Sequence, residues 1–455
     1  MDKSFWRRVA VIGIPVAMSS LIGTILNMLD IFMIGNFGDD YVSAVGLANK
    51  VFFVLNLLLI GIVSCSSILL SQYYGKGDEE GLNKIFGFSL IFSALGGLIF
   101  FLLAYFIPEG LMKIFTNDTR FIEIGATYLK IVSTSYILTS ISTAIIGLLK
   151  SVNKTSAPML ITLGCVAINF ICNYIFIFGN LGAPMMKADG AALGTVIARS
   201  IEIIALSLYC IFTKKSFHLH IKNMFSLRLK FILSSFIFIL PVLINEFGWG
   251  LGTTMYSVIY GHMDETATTT MTIATCLQDL VYVFLLGMSN AAAILIGNDL
   301  GANKFNDAKR NARRLLIANT AFGLILGLIL IGLVYPYTLL YPNISEVVKN
   351  YVIYVCIVYA IILPFKAFNI TSICGVLRAG GDTIMSMIID IVGIWTFAIP
   401  LACLGAFVFN LNVVWVFALI SLEEIIKLFF SLWRTKQGKW VKNVCNFDQK
   451  PEAQY

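Results

Sequence analysis

Stretches of about twenty apolar residues recur along the chain, near 9–30, 45–70, 85–107, 125–149, 157–178, 190–212, 231–258, 270–296, 314–340, 348–374, 384–406 and 413–433. At 1.5 Å per residue, each can cross the roughly 30 Å hydrocarbon core of a bilayer as an α-helix. That core holds no water to bond exposed backbone N–H and C=O groups, so such segments must satisfy them internally. The first stretch follows Lys3, Arg7 and Arg8 with no small-residue cleavage site. It therefore reads as a membrane helix and not as a removable signal. Only 13% of the 455 residues are charged and 58% are hydrophobic, whereas a soluble domain carries roughly 25% charged residues. The expected fold class is an all-α integral membrane protein of about twelve transmembrane helices.

Those helices fall into two copies. Pro15 and Pro241, Gly35 and Gly261, Gly61 and Gly287, and Gly75 and Gly301 are each separated by 226 positions. Farther along, Gly147-Leu148-Leu149-Lys150 matches Gly375-Val376-Leu377-Arg378, and Thr155 matches Thr383, at a spacing of 228. A constant spacing with one two-residue slip is the mark of a duplication. Six spans return the chain to its starting side, so the halves enter the membrane in the same direction, as a parallel repeat about an axis along the membrane normal. The expected organisation is an N-terminal six-helix bundle over 1–212, a basic linker over 213–230, and a C-terminal bundle with a short tail over 231–455. Two such bundles suit alternating access around a shared cavity, which points to a transporter.

Loop charge sets the expected orientation. The N-terminus and alternate loops hold most of the basic residues, among them Lys214, Lys215, Lys222, Arg228, Lys309, Arg310, Arg313 and Arg314, while the opposite loops offer only Lys113, Arg120, Lys187 and Lys349. The positive-inside rule places both termini in the cytoplasm and the protein in the cell membrane. The net charge of +7 mostly reflects this asymmetry. No concentrated basic face for nucleic acid is evident. Eight of the nine cysteines lie in apolar runs and none forms a CxxC pair, so they read as small buried hydrophobes.

Charges inside apolar spans cost about 2.5–3.5 kcal/mol each on insertion scales, and each calls for a role. Asp30 lies in the first helix and Glu246 in the seventh, five residues after Pro241. Lys50, Lys130, Asp279, Lys366, Asp390 and Glu423-Glu424 are further intramembrane candidates; Asp390, Lys366 and Glu423-Glu424 read as interior ion pairs or as groups near the interface, and Arg199 and Glu202 are spaced to pair with each other. Asn169 and Asn173, four apart, share a face of helix five, and helix six adds Thr195. With Asp30 they would offer one carboxylate and several neutral oxygens, a set suited to Na⁺ or to a proton. Interhelical hydrogen bonding accounts for the asparagines equally well. Pro15 and Pro241 each permit a kink in the first helix of their half, which would move Asp30 or Glu246. There is no phosphate-binding loop of the type GxxxxGK[ST], and the three histidines lie in the linker and an outer loop. The expectation is thus a non-enzyme without cofactor, driven by an ion gradient.

Several motifs resemble the bacterial branch of the multidrug and toxic compound extrusion (MATE) family over nearly the whole chain. They are Leu29-Asp30-Ile31-Phe32-Met33-Ile34-Gly35, Asn245-Glu246-Phe247, Met255-Tyr256-Ser257-Val258-Ile259-Tyr260-Gly261 and Arg378-Ala379-Gly380-Gly381-Asp382-Thr383, with Trp395, Pro400 and the Asn169/Asn173 pair before Ile177-Phe178-Gly179. The resemblance implies antiport: export of organic, often cationic and amphipathic compounds in exchange for Na⁺ or H⁺. It maps the coupling site onto Asp30, Asn169, Asn173 and Thr195, with Glu246 as a helix-seven acid. It makes Na⁺ at Asp30 the one metal ion expected, and a monomer sufficient. Where the family commonly has Asp, this chain has Asn173, leaving one formal negative charge and both coupling ions open. A flippase for a lipid-linked precursor is the alternative; the mixed charges of the inner helices favour the exporter.

Overall fold

A computed structural model describes residues 3–35, 37, 39–212, 218–226, 229–341 and 345–445, with the backbone alone at 3, 24–32, 39, 221, 229–230 and 234. Among these residues the regular structure is entirely helical. The first half contains α1 (Lys3–Gly35), α2 (Asp39–Lys76), α3 (Glu79–Phe106), a short α4 (Pro108–Lys113), α5 (Thr119–Val132), α6 (Thr134–Ser151), α7 (Ser156–Phe178), α8 (Ala188–Phe212) and a short α9 (Ile221–Phe225). The second half contains α10 (Leu229–Met263), α11 (Glu265–Gly301), α12 (Phe305–Thr338), α13 (Glu346–Ile370), α14 (Thr383–Val392), α15 (Ile399–Cys403) and α16 (Val413–Gln437).

Among the described residues, ten helical stretches are long and apolar enough to span a membrane, and α5 with α6 makes an eleventh. The single helix expected near 125–149 is in fact this pair, bent by 48°. At the bend, Ser133 Oγ donates to the Lys130 carbonyl (2.9 Å) and Ser135 Oγ to the Val132 carbonyl (2.6 Å). Such local bonds compete with the helix ladder and let it break. The twelfth helix, α16, is long enough at 25 residues, but Glu423, Glu424 and Lys427 interrupt its apolar character. Several helices outrun the expected windows. The 38 residues of α2 span about 57 Å, well beyond the hydrocarbon core. Their ends are set by local chemistry. Asp78 caps α3 through Gly81 N (2.9 Å), Asp264 caps α11 through Ala267 N (2.5 Å), and Gly179 (φ 72°) and Gly438 (φ 70°) close α7 and α16 in the left-handed region.

By contacts the chain forms two units. One holds Met18–Leu70 and Asp78–Ile239; the other holds Met1–Ala17, Ser71–Gly77 and Leu240–Tyr455. The first unit packs around a cluster that includes Leu55, Leu59, Leu129 and Tyr136. In the second, one cluster gathers Val352, Leu363, Ala398 and Val416, and another joins Phe5, Val9 and Ile12 of α1 to Ala291, Leu315 and Trp440. Large apolar side chains such as Phe106, Leu328, Phe429 and Trp415 stay exposed, as a lipid-facing surface requires.

Small residues set the closest helix approaches. A Cβ on Gly323 or Gly327 of α12 would press on Ala367 and on the Ala360 carbonyl of α13. Lipid offers no hydrophobic drive for helix association, so backbone approach of this kind supplies the packing.

Candidate functional site

In the first unit, α7 and α8 pack along their length and hold the expected polar set. Asn169 and Asn173 are both buried. Asn173 Nδ2 donates to Asn169 Oδ1 at 3.1 Å, and Asn169 Nδ2 reaches Thr195 Oγ1 at 3.4 Å. Thr195 Oγ1 in turn donates to the Ala191 carbonyl at 3.0 Å. Gly194 makes room for this arrangement, since a Cβ there would collide with Asn173 Oδ1. One helical turn along α8, Arg199 and Glu202 form the i,i+3 pair anticipated from spacing, at 2.7 Å, and Thr162 Oγ1 adds a bond of 3.0 Å to the buried Glu202. Asp30 falls within α1, but its side chain lies outside the described residues.

The second unit carries a denser polar core. Glu246, in the middle of α10, pairs with Arg378 at 2.8 Å, and neither side chain exceeds 14% exposure. Next to it, Asn245 Nδ2 donates to Asp390 Oδ2 at 3.1 Å. Lys427 of α16 lies 2.7 Å from Asp390 Oδ1 and 3.7 Å from Glu423 Oε1, while Tyr256 donates its hydroxyl to Glu423 Oε2 at 3.0 Å. Lys366 approaches Glu424 at 3.7 Å and stands over the rings of Tyr282 and Tyr359, 5.2 and 5.5 Å from their centroids. Asn369 fixes Glu424 with bonds of 2.7 Å to its carbonyl and 2.8 Å to its carboxylate. Gly393 lets the stem of Lys427 pass, because a Cβ there would overlap it. The backbone on either side of this network, Thr371–Leu377 and Gly393–Ala398, winds as wider π-helical turns, a form often met at functional positions. At the end of α16, Arg434 grips Asp382 bidentately at 2.6 and 3.0 Å.

Pro15 and Pro241 both lie inside continuous helices, α1 and α10. The sequence picks out Glu246 as a helix-seven acid, and Lys366, Asp390 and Glu423-Glu424 as interior ion pairs or interfacial charges. Their assembly into one network, and the parts of Lys427, Tyr256, Asn245 and Asn369 in it, went unread. The i,i+4 spacing of Glu423 and Lys427 was the available signal.

The sequence profile of the MatE family matches the chain twice, over residues 15–175 and 241–404. The chain belongs to the MATE family. The two matches begin 226 positions apart (241 − 15), the spacing that the glycines and prolines mark. A probable multidrug resistance protein NorM of Thermotoga maritima is 25% identical over 439 residues, covering 95% of this chain and 92% of that protein. Among solved structures, an outward-facing multidrug resistance MATE transporter of the MOP superfamily superposes with a TM-score of 0.85 at 18% identity, over 95% of this chain and 96% of the other. A MOP-superfamily transporter of Pyrococcus furiosus, for which a reversed polarity of the binding pocket suggests a different function, superposes at 0.84 with 18% identity and the same coverage. The fold is therefore the MATE fold of twelve membrane helices in two bundles, and the protein is a membrane transporter of the multidrug-efflux family, not an enzyme.

Proposed function

We propose that this MATE protein is an antiporter of the cell membrane, with both termini in the cytoplasm, exporting organic, often cationic and amphipathic compounds in exchange for Na⁺ or H⁺. The observation that carries this reading is the buried chain Asn173–Asn169–Thr195, which sits on α7 and α8 where the family resemblance maps a coupling site. A monomer with the 1–212 and 231–455 bundles on either side of its 213–230 linker is the working unit. Asp30 supplies the charge of the site, and the two asparagines and Thr195 supply neutral oxygens. Glu246 is the helix-seven acid of the second half, held by Arg378. Pro15 and Pro241 are the positions at which α1 and α10 bend as the cation binds and leaves.

The test is reconstitution in liposomes with Na⁺ and H⁺ gradients imposed separately, following efflux of fluorescent organic cations. Gradient-driven export should appear with at least one ion and vanish in Asp30→Asn while the variant still folds. Undiminished coupled export by Asp30→Asn would remove this site from the mechanism.

A further inference from the structure

The second unit contains more buried negative charge than the cations around it neutralise. Glu246, Asp390, Glu423 and Glu424 face three cations: Arg378, Lys366 and Lys427. Arg378 is taken by Glu246 at 2.8 Å and Lys427 lies closest to Asp390 at 2.7 Å. Glu424 has Lys366 together with two bonds from Asn369. Glu423 is the carboxylate left over, with a tyrosine hydroxyl and a 3.7 Å share of Lys427.

We propose that Glu423 is a proton-binding site of the C-terminal half, taking up and releasing one proton as the transporter works. Glu423 lies near the middle of α16, and Glu246 and Asp390 lie well inside their own spans, so the surplus charge sits deep in the membrane. An uncompensated charge there is costly, and one bound proton removes it. Among the described residues, Asn245 Oδ1, in the same network and buried to 1% exposure, meets no hydrogen-bond donor, and Arg378 Nε no acceptor. The network is thus unsaturated in this arrangement, as one that exchanges a proton would be. The Glu423 side chain keeps 11% exposure, enough for a proton to arrive.

The internal repeat adds an independent argument. Tyr256 occupies in the second half the place of Asp30 in the first (256 − 30 = 226), and its hydroxyl is turned onto Glu423. The half that has a tyrosine in place of an acid at this position of its first helix has an acid facing that position from its last helix.

The surroundings favour a proton over Na⁺. On its own helix Glu423 has Glu424 and Lys427; from α10 come Tyr256 and Tyr260, with Glu246 one shell away. The other helices contribute Asp390 from α14 and Lys366 from α13, itself bordered by Tyr359, Tyr282 and Asp279. A hard metal cation would need several oxygen ligands beside the Lys427 ammonium, 3.7 Å from the same carboxylate. Among the described residues no three His, Cys, Asp or Glu side chains converge as a metal set. A proton needs only the carboxylate: the O–H bond forms on Glu423, and Lys427 is left to Asp390 alone.

Infrared difference spectroscopy between low and high pH, with parallel proton-uptake titration, tests this on the purified full-length protein. It needs no substrate, so it can fail without affecting the reading of the protein as an exporter. Wild type should show a protonated-carboxyl C=O band that Glu423→Gln abolishes, with one proton fewer taken up per chain. Glu424→Gln should keep the band. If Glu423→Gln fails to fold, Tyr256→Phe serves instead: the band should move as its hydrogen bond is lost. A band that survives in folded Glu423→Gln, is lost in Glu424→Gln, or does not move in Tyr256→Phe overturns the assignment.

Discussion

At the residue scale, Lys427 decides how much charge the second half can hold. Its ammonium is the nearest cation to both Asp390 and Glu423, and its side chain is only 5% exposed. Removing one partner of such a buried pair costs about 3–5 kcal/mol, because the other charge is left without compensation. Lys427→Met should therefore lower the unfolding temperature in detergent markedly, whereas Glu423→Gln, which removes the surplus charge, should cost little. Adding Asp390→Asn to Lys427→Met should recover much of the loss, and a thermal-shift double-mutant cycle measures the coupling. Simple additivity would show that the pair does not act as a unit. Charges inside apolar spans could be spotted one at a time in the sequence, and Arg199 with Glu202 could even be paired from i,i+3 spacing. The partnership of Lys427 with Asp390, 37 positions away, could not. Local spacing carries no information about which faces of two distant helices meet.

At the scale of elements, glycine fixes where helices cross. Gly75 near the end of α2 and Gly301 at the end of α11 are equivalent positions of the repeat, 226 apart. Each lies against the other helix: a Cβ on Gly75 would overlap the backbone of Asn298, and one on Gly301 the carbonyl of Gln72. Gln72 then holds the contact with Nε2 bonds of 2.7 Å to the Ala379 carbonyl and 3.3 Å to that of Lys442, and its Oε1 accepts from Val444 N at 2.7 Å. Neither neighbour is a flexible side-chain end that could yield, so Gly301→Val must push the helices apart. It should reduce the yield of folded protein and its melting temperature far more than Gly332→Val, whose Cβ meets nothing within 4 Å. Equal yields and melting temperatures for the two variants would refute a packing role for this crossing. The glycine pairs were visible in the sequence as a repeat signal, but their function as contact points emerges only with the helices in place. Helix lengths were underestimated for a related reason: hydropathy sees the lipid-embedded part, and α2 and α11 continue beyond it with polar residues.

For the whole molecule, a duplicated scaffold carries unequal chemistry. The first half holds two buried amides and a hydroxyl on α7 and α8; the second holds a dense ionic network that includes Tyr256, the residue 226 positions after Asp30. If Asp30 and Glu423 each bind a cation, they do so in separate units of the chain. Two independent sites should titrate and mutate additively. Proton uptake lost in Asp30→Asn and in Glu423→Gln should then sum in the double variant, and the Glu423 infrared band should persist in Asp30→Asn. Transport need not follow the same rule, because one conformational cycle couples both sites, and coupling between sites is a free energy that each imposes on the other. Binding that adds while export collapses in either single variant would place the two halves in one cycle with two distinct cation sites. If Asp30→Asn instead erased the Glu423 band, the two acids would share a single proton, and the asymmetry of the halves would be a division of one site between them.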